Sequence, residues 1–459
     1  MIPKRPINAD VPAPEQETRK LGPEEEAAPQ GKPEPKRRQA EEPPQLSEPA
    51  PHRASKPLAP KLLAGLAALA VLFIVVAIVF SSGGKDESAG AGTAAPKPTS
   101  AGSGGEAASS QTPEALGYPS FATNNTTRIG GSDPAANAAA VALAVFPSTT
   151  PAQRPSAVAL VSEEDWAGAI AAAVLMAPPV RAPILFSRPD ELPEASAEAL
   201  GALDPQGGKA TGGAAAFAIG AVSLPGGLRA TRVDSGDPAA TAAQIAALRD
   251  RLFAKPPAHF LVASSSSPEF AMPAAAWAAR SGDPVLYTDA KKLPAPTAAI
   301  LKRHPKTPVF VLGPAAAVSA GALKEIEQLS RRVERVAGRS PAANALALAR
   351  FRAGSFGWNV NDPGHGFVLA RSDSPADAAA AAPLSASGTW GPLLLTEDAG
   401  TLPKPVRNYL LDVKPGYTTD PTRAFYNRFW LIGDEDAISV EQQAEVNELA
   451  ELARIGGGP

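Results

Sequence analysis

Short apolar runs closed by a small residue recur along the chain in a fixed order. AVALVS (157–162), HFLVAS (259–264) and GFVLARS (366–372) form one set, and PILFS (183–187), PVLYT (284–288) and PLLLT (392–396) a second. A third set, FAIG, VFVLG and FWLIG, closes at Gly220, Gly313 and Gly433. Continuous apolar runs of this length, bounded by turn residues, predict strands buried on both faces, as in a parallel sheet. Alanine-rich stretches of helical length lie between them. Asp133-Pro134, Asp237-Pro238 and Ser340-Pro341 each place a capping side chain before a proline whose φ is already helical, which predicts a helix start. Leu-Pro pairs at 192–193, 293–294 and 402–403 open further helices. Strand and helix alternate throughout, so each unit is expected to be a small α/β layer with a mainly parallel sheet and right-handed crossovers.

The order repeats three times. Arg128, Arg232 and Arg335 stand 104 and 103 positions apart, each followed by proline six residues on and by Asn137, Thr241 or Asn344 nine residues on. A period of this length is too long for a solenoid repeat of ~20–50 residues and fits a small domain copied in tandem. The expected units are 128–231, 232–334 and 335–455.

The N-terminal pattern is different. Residues 1–60 are rich in proline and charge and nearly lack large apolar side chains, so they are expected to be disordered. Leu62 to Phe80 contains no charge; as a helix it would span ~28 Å, close to the hydrocarbon thickness of a bilayer. It is expected to be a single transmembrane helix. Arg53, Lys56 and Lys61 precede it and only Lys85 follows closely, which places the N-terminus in the cytoplasm and the rest outside. Residues 82–127, rich in Gly, Ser, Ala, Thr and Pro, read as a flexible extracytoplasmic linker with a reach of about 35–40 Å. The tail PEPKRRQAEEPPQLSEP (33–49) is a solvated tether or a proline-rich site for a cytoplasmic partner.

Composition removes several chemistries. The 459 residues include no cysteine, and the four histidines, His52, His259, His304 and His365, have no metal-ligand spacing. A net charge of −3 argues against a general nucleic-acid binder. The glycines after the strands do not form a G-x-G-x-x-G or P-loop pattern, so no nucleotide cofactor is expected. Asp434-Glu435-Asp436 has no acidic counterpart after Gly220 or Gly313 and reads as a surface loop rather than a metal site. A Ser-His-Asp triad has free spacing in sequence, but there is no G-x-S-x-G elbow and His259 and His304 fall in one repeat, so hydrolase activity is not expected.

The recurring segments resemble the cell-wall-binding repeat 2 family. The arginine opening, the alanine-rich segment, the P-I-L-L-T…L-P segment and the closing I-L-G-G…V-S segment recur in order from about Arg128 to Leu452. The opening helix departs from the family pattern, being alanine-rich (SDPAANAAA, GDPAATAAQ, RSPAANALA) where the family is acidic and aromatic. The resemblance implies three Rossmann-like modules, noncovalent binding of an anionic cell-wall glycopolymer, and no catalysis by the repeats.

Two features suggest where such a polymer would touch. The recurring Arg128, Arg232 and Arg335 are either bidentate ligands for phosphate or carboxylate, or ties between a strand or loop and its neighbour. Between Lys291 and Arg352 there are 12 basic residues against three acidic ones, the footprint expected for an anionic partner. The candidate polymer contacts are Arg128, Arg232, Arg335, Lys302, Arg303, Arg331, Arg332 and Arg339. A non-enzymatic envelope scaffold, binding proteins outside and through the tail, is the alternative.

Overall fold

The computed structural model describes residues 122–234, 236–387 and 391–456. The expected disordered tail, the expected membrane helix at 62–80 and nearly all of the expected linker lie outside the described residues. Among the described residues no helix is long and apolar enough to cross a membrane.

The chain runs β1 (Thr126–Ile129), α1 (Pro134–Val145), β2 (Val158–Ser162), α2 (Trp166–Ala172), β3 (Ile184–Ser187), α3 (Glu194–Leu203) and β4 (Ala216–Ile219). It continues through β5 (Ala230–Val233), α4 (Pro238–Leu252), β6 (Phe260–Ser264), α5 (Pro268–Ala271), α6 (Pro273–Ser281), β7 (Val285–Thr288), α7 (Ala295–Arg303), β8 (Val309–Leu312) and α8 (Ala320–Glu327). The last third holds β9 (Val333–Val336), α9 (Pro341–Arg350), β10 (Gly366–Arg371), α10 (Pro375–Ala386), β11 (Leu393–Thr396), α11 (Lys404–Asp412), β12 (Gly416–Tyr417), β13 (Arg428–Ile432), α12 (Val440–Ala450) and β14 (Ala453–Arg454).

Three four-stranded sheets result, ordered β3-β2-β4-β5, β7-β6-β8-β9 and β11-β10-β13-β1, and every pairing in them is parallel. The mixed α/β class with parallel sheets follows from the apolar runs: the nine strands they predict are present and almost wholly buried. The strands carrying the three arginines were not legible as strands. Each forms a sheet edge: β5 lies on β4 and β9 on β8, completing the sheet of the preceding stretch, while β1 lies on β13 and completes the sheet of the last. The third sheet therefore joins the two ends of the described region, with Arg128 level with Leu431.

The prolines work as the sequence suggests. Asp133, Asp237 and Ser340 accept from the backbone N–H of Ala136, Ala240 and Ala343, with proline at the first helical position. The alanine content has a packing cause. Helix α10 packs against α1, α2 and α6, and residues 378–382 of α10 are all but inaccessible, as are Ala274–Ala276 of α6 and Ala169, Ala171 and Ala172 of α2. Small side chains let these helices approach closely, and one hydrophobic cluster runs through all three sheets.

Candidate functional site

The arginines differ in burial, and the loop each faces accounts for it. Arg128 is 1% exposed. Its guanidinium donates to the carbonyls of Gly433 (3.2 Å), Asp434 (2.5 Å) and Ile438 (2.6 Å) and to Gln443 Oε1 (2.9 Å). Arg335 is half-buried and donates to the carbonyls of Gly313 and Val318, both at 2.7 Å. The two acceptor pairs are equivalent: the glycine closing a strand, and the residue before a serine that caps the next helix. Ser319 accepts from Ala322 N–H and Ser439 from Gln442 N–H. In both cases the intervening loop curls its carbonyls around the guanidinium. The corresponding stretch after β4, Gly220 to Val222, is three residues shorter and leads to no helix before β5, and Arg232 is exposed. Burial lowers the pKa of Arg128, opposed by Glu435 and Asp434, and also lowers that of Arg335. A charge is carried into the fold at a solvation cost offset by the carbonyls it ties.

The residue nine positions on bridges to another repeat. Asn137 Oδ1 accepts from Gly131 N–H (2.8 Å) while its Nδ2 donates to Asp377 Oδ1 of α10 (2.8 Å). Asn344 does the same, accepting from Gly338 N–H and donating to the Phe270 carbonyl of α5, both at 3.2 Å. Gly130 leaves room for the first of these: a Cβ there would lie 2.0 Å from Asn137 Oδ1, and its φ of +116° disfavours any side chain. Burial raises the pKa of Asp377, with hydrogen bonds from Ser374 and Asn137 opposing.

The remaining candidates divide between the two ends of the second sheet. Lys302 and Arg303 close α7 and, with Lys306, precede β8; Arg331 and Arg332 precede β9. All five are exposed. Strands β8 and β9 are paired neighbours, and Ser330 Oγ donates to the Thr307 carbonyl (3.0 Å), so the two basic loops sit side by side. His304 Nε2 and Asp250 Oδ2 lie 2.9 Å apart, drawing the end of α4 to the end of α7. The exposed Arg251 and Lys255 therefore belong to the same edge, which the spacing of the sequence did not reveal. Arg332 donates to Glu334 at 2.7 Å. Arg339 lies beyond the other end of β9, exposed but apart from this group.

A polar hollow of about 330 Å³ lies where β1, β10 and β13 end, lined among others by Asp133, Arg371, Asp373, Asp377, Asp434 and Asp436. Asp434 Oδ1 accepts from the N–H groups of Asp436 and Ala437, a self-closed turn. Among the described residues no group of three or more histidines and carboxylates is arranged to hold a metal ion.

Residues 232–323, which contain Lys302, Arg303 and Lys306, match the model of the cell wall binding domain 2 (CWB2) family. No curated protein sequence matches the chain. The fold is similar to that of two solved structures, Cwp8 and Cwp6 from Clostridium difficile. Cwp8 is 21% identical with a TM-score of 0.55, over 72% of this chain and 52% of its own length. Cwp6 is 18% identical with a TM-score of 0.55, over 71% of this chain and 47% of its own. The chain thus spans about half the length of these two proteins. The recurring segments and the match at residues 232–323 together show the likeness of this chain to the cell wall binding domain 2 family.

Proposed function

We propose that the chain is a noncovalent binder of an anionic cell-wall glycopolymer and that the basic edge of the second sheet is its contact surface. The observation that carries this reading is the convergence of Lys302, Arg303, Lys306, Arg331 and Arg332 on two adjoining loops inside or next to the family match. Phosphate or carboxylate groups repeated along a polymer would engage several of these cations at once. Multivalent contact of this kind needs no deep pocket. In this reading Arg232 and Arg339 are accessory contacts, while Arg128 and Arg335 tie loops together and offer the polymer little. The apolar segment Leu62–Phe80 holds the binding region close to the membrane on its outer side, with the N-terminal tail in the cytoplasm. The role is binding rather than turnover of the polymer.

The test is retention of the protein on isolated walls as a function of salt. Contact through exposed cations weakens steeply as the Debye length falls from about 10 Å at 0.1 M to about 3 Å at 1 M. Retention that is unchanged across this range would refute it. A second reading, an envelope scaffold for another protein, is favoured by one feature. Phe425 (71% exposed) and Ile455 (58% exposed) flank a hollow of about 380 Å³ beside Tyr417 and Arg423. Salt-insensitive capture that is lost in Phe425→Ser would select this alternative.

A further inference from the structure

We propose that Ser355 is an activated nucleophile that takes an acyl group from activated esters, with His259 as its base and Asp283 as the positioning residue. The proposal goes beyond wall binding and does not depend on it. The three side chains come from segments up to 96 positions apart: His259 immediately precedes β6, Asp283 precedes β7, and Ser355 lies in the loop after α9. Asp283 is 1% exposed and accepts three hydrogen bonds. They come from the backbone N–H of His259 (3.0 Å), from Trp277 Nε1–H (3.0 Å) and from the His259 ring through Nδ1 (2.9 Å). A carboxylate so surrounded by donors holds the imidazole with its proton on Nδ1. His259 Nε2 is then the acceptor, and it lies 3.2 Å from Ser355 Oγ.

The supporting groups hold the geometry. His259 packs edge-on against Phe310 (5.6 Å) and Phe356 (5.4 Å), and Phe356 is fully buried and stacked on Phe310. Ser355 sits at the tip of a tight turn closed by reciprocal hydrogen bonds between Ala353 and Phe356, with Gly354 at φ +65°. Because Phe356 anchors one side of that turn in the core, the adjacent hydroxyl is fixed over the imidazole while remaining exposed. In the step, Ser355 Oγ forms a bond to the acyl carbon and its proton passes to His259 Nε2. The bond to the leaving alcohol breaks, and the leaving oxygen collects that proton. The ester supplies both the acyl group and the leaving group, and nothing is oxidised or reduced.

The full chain is treated with a fluorophosphonate probe, which reports the same nucleophilicity by forming an O–P bond and releasing fluoride, and the labelled sites are mapped by peptide mass spectrometry across pH. Labelling is expected to concentrate on Ser355 and to vanish in Ser355→Ala. It is expected to fall at least about 100-fold in His259→Gln, the size of a general-base contribution. Asp283→Asn should also slow it and change the pH profile. Labelling of Ser355 no faster than that of the exposed Ser266 and Ser281 would overturn the proposal, and this comparison needs only the wild-type protein. Equal rates in a folded His259→Gln protein would overturn it as well.

Discussion

Replacing the three recurring arginines one at a time with alanine separates a structural tie from a ligand contact. Arg128→Ala removes the donor of four hydrogen bonds and leaves three carbonyls and Gln443 Oε1 without it in a buried site. Each buried acceptor left without a partner costs about 1–3 kcal/mol, and removing a buried charge returns part of its desolvation cost, so a net loss of about 3–5 kcal/mol is expected. Arg335→Ala frees only two carbonyls in a half-buried site, for about 1–3 kcal/mol. Arg232 is exposed, and its replacement should change stability by no more than about 0.5 kcal/mol. Because three sheets share one core, a global unfolding free energy reports the total loss but not its place. Hydrogen exchange is local: the amides of Phe429 and Gly433, which bond the carbonyls of Asn125, just before β1, and Ile129, at its end, should lose protection in Arg128→Ala. Wild-type protection there, or equal destabilisation by all three substitutions, would refute the tie. Loss of wall binding by Arg128→Ala with exchange unchanged would reverse its assigned role.

Other consequences can be checked separately. Asp377→Asn should stabilise the protein at neutral pH. Burial raises the pKa of Asp377, so its contribution is fully present below the ordinary aspartate value and is lost as pH rises through the folded value; the substitution should flatten that part of a melting-temperature profile. Gly130→Ala should displace Asn137 and weaken the link from α1 to α10, costing about 2 kcal/mol or more in urea titrations, since it combines a close contact with a positive φ. Ser439→Ala should cost about 1 kcal/mol by removing the cap of α12, with a thermal melt as the assay.

Much of the fold was legible because its central strands are buried on both faces and so read as unbroken apolar runs. TTRI, ATRV and VERV were not legible as strands. They lie at sheet edges, carry charge, and pair with a partner from the preceding repeat or, for β1, from some 300 residues away. Periodicity reports that a segment can be a strand but not which sheet it joins. The recurrence of Asn137 and Asn344 was visible, but their meaning as cross-links depends on which helices the repeats bring together. The basic run from Lys291 to Arg352 divides in space for a simple reason. Strand β9 carries the chain about 13 Å at ~3.3 Å per residue, which puts Arg331 and Arg332 at one end of the sheet and Arg339 beyond the other. Arg251 and Lys255 join the first group through the contact of Asp250 with His304, information that no local spacing contains.

The most direct test of the central claim is cosedimentation of the protein with purified cell walls, before and after acid removal of their anionic polymers, alongside a variant with Lys302, Arg303, Lys306, Arg331 and Arg332 changed to Gln. These side chains are exposed, so the variant should fold normally, and the account predicts that it loses binding to intact walls as fully as the wild-type protein loses binding to stripped ones. Undiminished binding by the folded variant, or wild-type binding that survives stripping, would contradict it.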